Sequence, residues 1–162
     1  IVKLSIISLI NKEKLSSIIK FMNDNSDEYN YFKKIGWNLK NIESQFNKVN
    51  NYSIGYFKAN HLVGLLIGDA IKNEKDYDLE LHILFVSKEQ RRKQIATKLL
   101  NYIETNTIKF SQIFIEVAED NLDAISFYQK NNFVFLNFRH NYYRYNDKNI
   151  HAKCFIKKIN HE

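Results

Sequence analysis

The chain has 162 residues, 44% hydrophobic, 26% charged and 14% aromatic, which suits a packed globular core in one domain spanning residues 1–162 and excludes a disordered chain. Zero Pro and only 4 Gly exclude collagen-like and polyproline designs, while a single cysteine, Cys154, excludes a disulfide framework and a thiolate zinc centre. The formal charge of +6 would attract a polyanion, but the basic residues form no concentrated run of the kind that marks a nucleic-acid-binding tail.

The opening segment Ile1 to Ile10 is interrupted by Lys3, Ser5 and Ser8, and no apolar stretch approaches the roughly 20 residues a bilayer requires, so membrane insertion is not expected. The lone thiol suits a reducing, cytoplasmic compartment. The chain opens on Ile1 rather than Met, from which residues ahead of it are expected. Leu15, Ile18, Ile19 and Met22 recur at helical spacing behind a potential cap at Asn11. Asp24 to Gly36 lacks a clear period. Asn38 then caps a second helix carrying Leu39, Ile42, Phe46 and Val49 on one side, with Trp37 just ahead of it.

Tyr52 to Phe57 and His61 to Ile71 read as a hairpin around the polar turn Lys58 to Asn60, and Tyr77 to Val86 reads as a third long strand. Lys93 to Thr105 places Ile95, Leu99, Leu100 and Ile103 on one helical face. Gln112 to Val117 is a short strand, and Ala124 to Lys130 a helix opened by Asn121 or Asp123. Phe133 to Phe138 and Ala152 to Ile159 are two further strand candidates, separated by a tyrosine-rich loop, Asn141 to Asp147. The whole reads as mixed α/β.

Chemistry concentrates where the strand ending at Val86 passes through Ser87 to Arg92 into the next helix. Such a junction leaves the first helical amides unpaired at the positive end of the helix dipole, a ready anion site. Arg91, Arg92 and Lys93 add positive charge at that end, the wrong sign for helix stability and the right sign for an anionic ligand.

The run Gln90-Arg91-Arg92-Lys93-Gln94-Ile95-Ala96 resembles the acyl-CoA pyrophosphate loop of the GCN5-related N-acetyltransferases, whose pattern is Gln/Arg-x-x-Gly-x-Gly/Ala. Downstream, Glu116 to Phe133, with Asn121, Ala124, Ile125 and Tyr128, is similar to the segment that follows in that family. Glu116-Val117, Trp37 and Asn141-Tyr142-Tyr143 resemble its ribosomal-protein-alanine N-acetyltransferase branch. The resemblance implies a twisted, mostly antiparallel sheet of about six or seven strands flanked by about four helices, splayed into a V at the cofactor site.

It also implies transfer of acetyl from acetyl-CoA to a protein N-terminal amine, without a metal. Glu116 then takes the place of the general base, with Glu80 in reserve, and Tyr128 that of the acid protonating the departing thiolate. The main chain of Leu84, Phe85 and Val86 would hold the pantetheine arm. The amides of Arg92, Lys93, Gln94, Ile95, Ala96 and Thr97, with Arg91 and Asn121, would hold the nucleotide end. Trp37, Tyr142 and Tyr143 would line the acceptor pocket, in preference to stacking single-stranded nucleic acid.

His61, His82, His140, His151 and His161 show no ligand spacing and read as structural or surface residues. Cys154 reads as an inert buried thiol. The chain departs from the family pattern at three positions. Gln94 replaces a glycine, which calls for negative φ with the side chain turned away. Asn132 replaces another glycine, and Asn accepts left-handed geometry. His151 stands where the alanine-acetylating branch carries an acid. A lysine side chain, a polyamine or a small amine therefore stays open as the acceptor, as does a non-catalytic acyl-CoA-binding module.

Overall fold

The computed structural model describes residues 4–105 and 108–161. Among them, seven strands form one sheet in the order β1-β2-β3-β4-β5-β7-β6. The strands are β1 (Ser5–Leu9), β2 (Asn51–Lys58), β3 (His61–Lys72), β4 (Tyr77–Val86), β5 (Phe110–Ala118), β6 (Val134–Tyr145) and β7 (Lys148–Lys158). The helices are α1 (Leu15–Asp24), α2 (Ser26–Lys34), α3 (Leu39–Phe46), α4 (Ile95–Thr105) and α5 (Leu122–Lys130). Only β4 and β5 pair in parallel, because α4 carries the chain back across the sheet between them. No described helix is long and apolar enough to cross a membrane.

Two apolar layers sandwich the sheet. Ile18, Phe21 and Met22 of α1, Tyr29 of α2, and Ile42 and Phe46 of α3 pack on Leu65, Ile67, Ile83 and Phe85. Leu99, Leu100 and Ile103 of α4 and Ile125 of α5 pack on Leu66, Leu79, Leu81, Ile113 and Ile115. Asn38 caps α3 by accepting from the Asn41 amide at 2.9 Å, and Asn121 caps α5 by accepting from Ala124 at 3.3 Å.

Strand β4 changes sides in mid-course. Ile67 faces Ile83 but Gly68 faces Leu81, so His82 is an extra residue, a β-bulge. Leu79 and Leu81 therefore point to the α4 and α5 layer, whereas Ile83 and Phe85 point to the opposite one. A side-chain period of two would otherwise have kept all four on one face. Pairing of β4 with β5 ends at the same place, with Leu81 opposite Ile115. Beyond it β4 runs on to Val86 against β3 alone, and β5 runs on to Ala118 against β7. The two central strands thus part as a V.

Two expectations need correction, and two stretches without an assignment prove to be regular elements. The stretch Asp24 to Gly36 contains helix α2, with Tyr29 buried, which its mostly polar composition concealed. Helix α3 ends at Phe46, and Val49 is fully exposed beyond it. The opening segment includes strand β1. The tyrosine-rich segment is no loop: β6 continues to Tyr145 and turns through Asn146 and Asp147, both at positive φ, as a two-residue hairpin of the primed type requires. Ala59 and Asn60 make the same kind of turn between β2 and β3.

Gly68 makes the bulge possible. A Cβ there would lie 2.6 Å from the Glu80 carbonyl oxygen, a contact with main chain that no rotamer relieves. Gly68→Ala is expected to lower unfolding free energy by about 2 kcal/mol, measured by urea denaturation. An unchanged midpoint would show that the bulge tolerates the methyl group.

Candidate active site

At the β4–α4 junction the first helical hydrogen bond runs from the Lys98 amide to the Gln94 carbonyl at 2.9 Å. The amides of Ile95, Ala96 and Thr97 precede that bond and lack intrahelical acceptors. Arg92 and Gln94 both adopt left-handed conformations, φ +60° and +59°. The expectation of negative φ at Gln94 is therefore wrong: the residue keeps the backbone a glycine would adopt, and this section of the loop retains its turn. Asn132 adopts φ +67°, as expected of Asn there.

Two lysines converge on the loop. Lys58 donates to Gln90 Oε1 at 2.8 Å and Lys93 to the same atom at 3.2 Å, which adds the charge at the end of β2 to that of Arg91, Arg92 and Lys93. Gly64 lets α4 sit close to β3, since a Cβ there would meet Ile95 Cγ2 at 2.8 Å. Leu84, Phe85 and Val86 lie on the stretch of β4 that has left β5. A free strand edge followed by unpaired amides and cationic side chains fits an extended, phosphate-ended ligand.

On the other side of the V lies a cleft of about 1060 Å³, lined by Trp37, Glu80, His82, Glu116, Tyr142 and Tyr143 among others. The structure thus divides the residues expected from sequence. Glu116, Trp37, Tyr142 and Tyr143 share this cleft, whereas the residues of the β4–α4 junction do not line it. Leu81 and Ile115, where the strands part, form part of its wall.

Glu116 is not free. Its Oε1 is ion-paired with Arg139, whose guanidinium lies 3.9 Å from the centre of the Tyr142 ring, and burial together with the nearby Glu116 charge raises the pKa of Tyr142. Glu116 in turn raises the pKa of Arg139 above its ordinary value. Glu80 lines the same cleft, and among the described residues no hydrogen bond or ion pair engages its side chain. Cys154, opposite Glu116 on β7, is half-buried and lines the cleft rather than the core. Burial and the Glu116 charge push its thiol above the usual range.

Tyr128 is buried, with its ring 5.2 Å from Phe133. Burial, reinforced by the neighbouring Tyr31, raises its pKa far above that of an ordinary phenol, so the hydroxyl stays protonated. Tyr31, from the stretch that showed no period, sits near Asn121 and Ala118 at the end of β5, and burial raises its pKa. Sequence offered no signal for Tyr31 beyond its residue type.

A second polar cluster borders the cleft. Buried Asp69 accepts from Gln45 Nε2 at 2.5 Å and from Lys48 at 3.1 Å, and its Oδ2 lies 3.0 Å from His82 Nε2. The His82 ring packs on Trp37, centroids 5.0 Å apart, so His82 is a cleft residue. Desolvation pushes the Asp69 carboxyl up, but the Gln45, His82 and Lys48 contacts outweigh it and hold the pKa below the ordinary value. A depressed carboxyl pKa contributes stability above about pH 4, lost as pH falls through the folded-state value. Asp69→Asn is expected to cost about 2 kcal/mol at neutral pH, with the gap to wild type closing as pH falls below about 4 in pH-resolved denaturation. A gap independent of pH would contradict the ionised assignment.

Comparison with known proteins places this geometry. The model of the Acetyltransferase (GNAT) family matches residues 18–133. No curated protein matches the sequence. Arabidopsis thaliana NAA60 in complex with acetyl-CoA is similar in structure, with TM-score 0.76 at 16% identity over 98% of this chain and 100% of that one. The ribosomal-protein-S18-alanine N-acetyltransferase of Escherichia coli gives 0.75 at 16% identity over 98% and 96%. A probable acetyltransferase from Staphylococcus epidermidis gives 0.73 at 17% identity over 97% and 100%.

Proposed function

The chain belongs to the Acetyltransferase (GNAT) family, and from that membership we propose that, as one N-acetyltransferase domain, it moves acetyl from acetyl-CoA to a protein N-terminal α-amine. The favoured acceptor is the N-terminal alanine of a small-subunit ribosomal protein, modified in the cytoplasm. The observation that carries this reading is the parting of β4 from β5, which opens toward the amide-lined loop on one side and the carboxylate- and tyrosine-lined cleft on the other. The similarity to NAA60 with acetyl-CoA and to an alanine N-acetyltransferase supports it.

Acetyl-CoA supplies an activated thioester and a thiolate leaving group. The chain's own residues do the rest. The free amides of Ile95, Ala96 and Thr97 and the charges of Arg91, Arg92 and Lys93 hold phosphates, while the open edge from Leu84 to Val86 aligns the arm as an added strand would. An α-ammonium with a pKa of about 7.7 to 8.0 needs only a weak base to become nucleophilic. Glu80, which no hydrogen bond or ion pair engages among the described residues although it lies within 4.8 Å of Asp69 and His82, accepts that proton. Glu116, kept occupied by Arg139, orients the amine. Tyr128, held protonated, donates to the departing sulfur, whose conjugate acid has a pKa of about 8.5.

A polyamine acceptor is the second reading. It is favoured by three carboxylates in the cleft wall, Asp78, Glu80 and Glu116, which suit a substrate with several positive charges. Acetylation of an alanine-starting peptide, with none of spermidine, supports the first reading, and the reverse supports the second.

Acetyl-CoA at a hundredfold excess over its Kd is expected to stabilise the protein by about 2.7 kcal/mol, read as a rise in Tm. Glu80→Gln is expected to lower kcat about a hundredfold and Tyr128→Phe about tenfold, with Glu116→Gln acting chiefly on acceptor KM. A kcat loss from Glu116→Gln larger than that from Glu80→Gln would return the base to Glu116.

A further inference from the structure

Strands β6 and β7 pair with a one-residue slip at Leu136 as far as Arg139 opposite Ala152, and pairing resumes at Tyr143 opposite Ile150. One β7 residue, His151, therefore stands opposite three residues of β6: His140, Asn141 and Tyr142. Asn141 adopts φ +52°, a left-handed conformation that Asn tolerates. The main chain of His151 does not close this gap, because both its groups are used on the far side. Its amide donates to Glu119 Oε1 at 3.2 Å, and its carbonyl accepts from the Glu119 amide at 3.0 Å.

The side chain closes the gap instead. The Asn141 amide donates to His151 Nδ1 at 2.9 Å, which requires the ring proton to sit on Nε2. The His140 ring packs edge-on against His151 with centroids 4.9 Å apart. Immediately beside the pinned amide stand the residues grouped about Glu116. Arg139 pairs with its carboxylate, the Tyr142 ring lies 3.9 Å from the Arg139 guanidinium, and Tyr143 packs on Tyr142 at 4.9 Å. All three line the cleft.

We propose that His151 is a positioning residue for acceptor binding, its Nδ1 fixing through the Asn141 amide the β6 bulge that sets Arg139, Tyr142 and Tyr143 against Glu116. The inference rests on the reading of this cleft as the acceptor site. In a regular ladder a main-chain carbonyl would accept from Asn141, whatever the side chain. Here a side chain does so, and the shape of the acceptor wall depends on which residue occupies position 151. His151 makes none of the contacts found at the β4–α4 loop, so its effect falls on the acceptor and not on the cofactor. Without the contact the competent bulge is less populated, and the apparent acceptor KM rises by the inverse of that fraction.

The test compares His151→Leu, which lacks an acceptor atom, with His151→Asn, whose amide oxygen takes the place of Nδ1. With acetyl-CoA and a short alanine-starting peptide, His151→Leu is expected to raise peptide KM about fivefold, leaving the KM for acetyl-CoA and the Tm unchanged. His151→Asn is expected to restore peptide KM. In the substrate-free protein, the Asn141 amide should exchange slowly with solvent in wild type and His151→Asn, and fast in His151→Leu. Unchanged peptide KM in His151→Leu, equal rises for both substrates, or failure of His151→Asn to rescue would overturn the proposal. A wild type that acetylates no peptide overturns the acceptor reading and the positioning role with it. That failure is distinguishable from loss of the His151 contact, because Asn141 exchange is read without substrate.

Discussion

Everything in the site follows from the separation of β4 and β5 after Leu81 and Ile115. Two adjacent parallel strands in a sheet ordinarily satisfy each other's amides and carbonyls along their length. Here the satisfaction stops halfway, and the residue at which it stops, His82, is also the bulge that turns β4 over. The apolar side chains of the second half of β4 thereby bury themselves under α1 and α2 while its main-chain edge faces the gap. A site that must admit an extended ligand between strands gains both the opening and the unpaired backbone groups from this one irregularity. Gly68 permits it, by letting the Glu80 carbonyl come closer than any Cβ would allow.

Charge is segregated across the gap. The cationic side chains Arg91, Arg92, Lys93 and Lys58 gather at the mouth of the β4–α4 loop, where they reinforce the helix dipole toward an anion. The carboxylates Asp69, Asp78, Glu80 and Glu116 lie on the sheet face under α3 and β6, with Lys48 and Arg139 offsetting two of them. The excess of +6 is thus a poor guide to the partner, since the cleft is acidic at its floor. On the proposed function, the acidic side of the V suits an amine and the basic side a phosphate.

Much of this was legible in the sequence because it depends on short-range pattern. Strands β2, β3 and β4 announce themselves by alternation, α4 by its apolar stripe, and its unpaired opening amides by the strand-to-helix junction with its basic flank. The family resemblance singled out Glu116, Trp37, Tyr142 and Tyr143, which do share one cleft, and Tyr128, which does not line it. What escaped depends on long-range partners. Helix α2 buries Tyr29 amid mostly polar neighbours, so no stripe reveals it. The ion pair that occupies Glu116 joins residues 23 positions apart, and the Asp69–His82 contact crosses a bulge. The φ of Gln94 was misjudged from residue type alone, because the loop geometry overrides the preference of an ordinary side chain for negative φ.

The central claim is that the parted edge of β4 and the amides opening α4 together receive the coenzyme. Its most direct test is a titration of the 15N-labelled protein with coenzyme A, followed by amide chemical shifts. The account predicts large, saturable changes at Leu84 to Val86 and at Ile95 to Thr97, with β1 and α1 left undisturbed. Saturable binding that perturbs neither segment, or no binding at millimolar coenzyme, would contradict it.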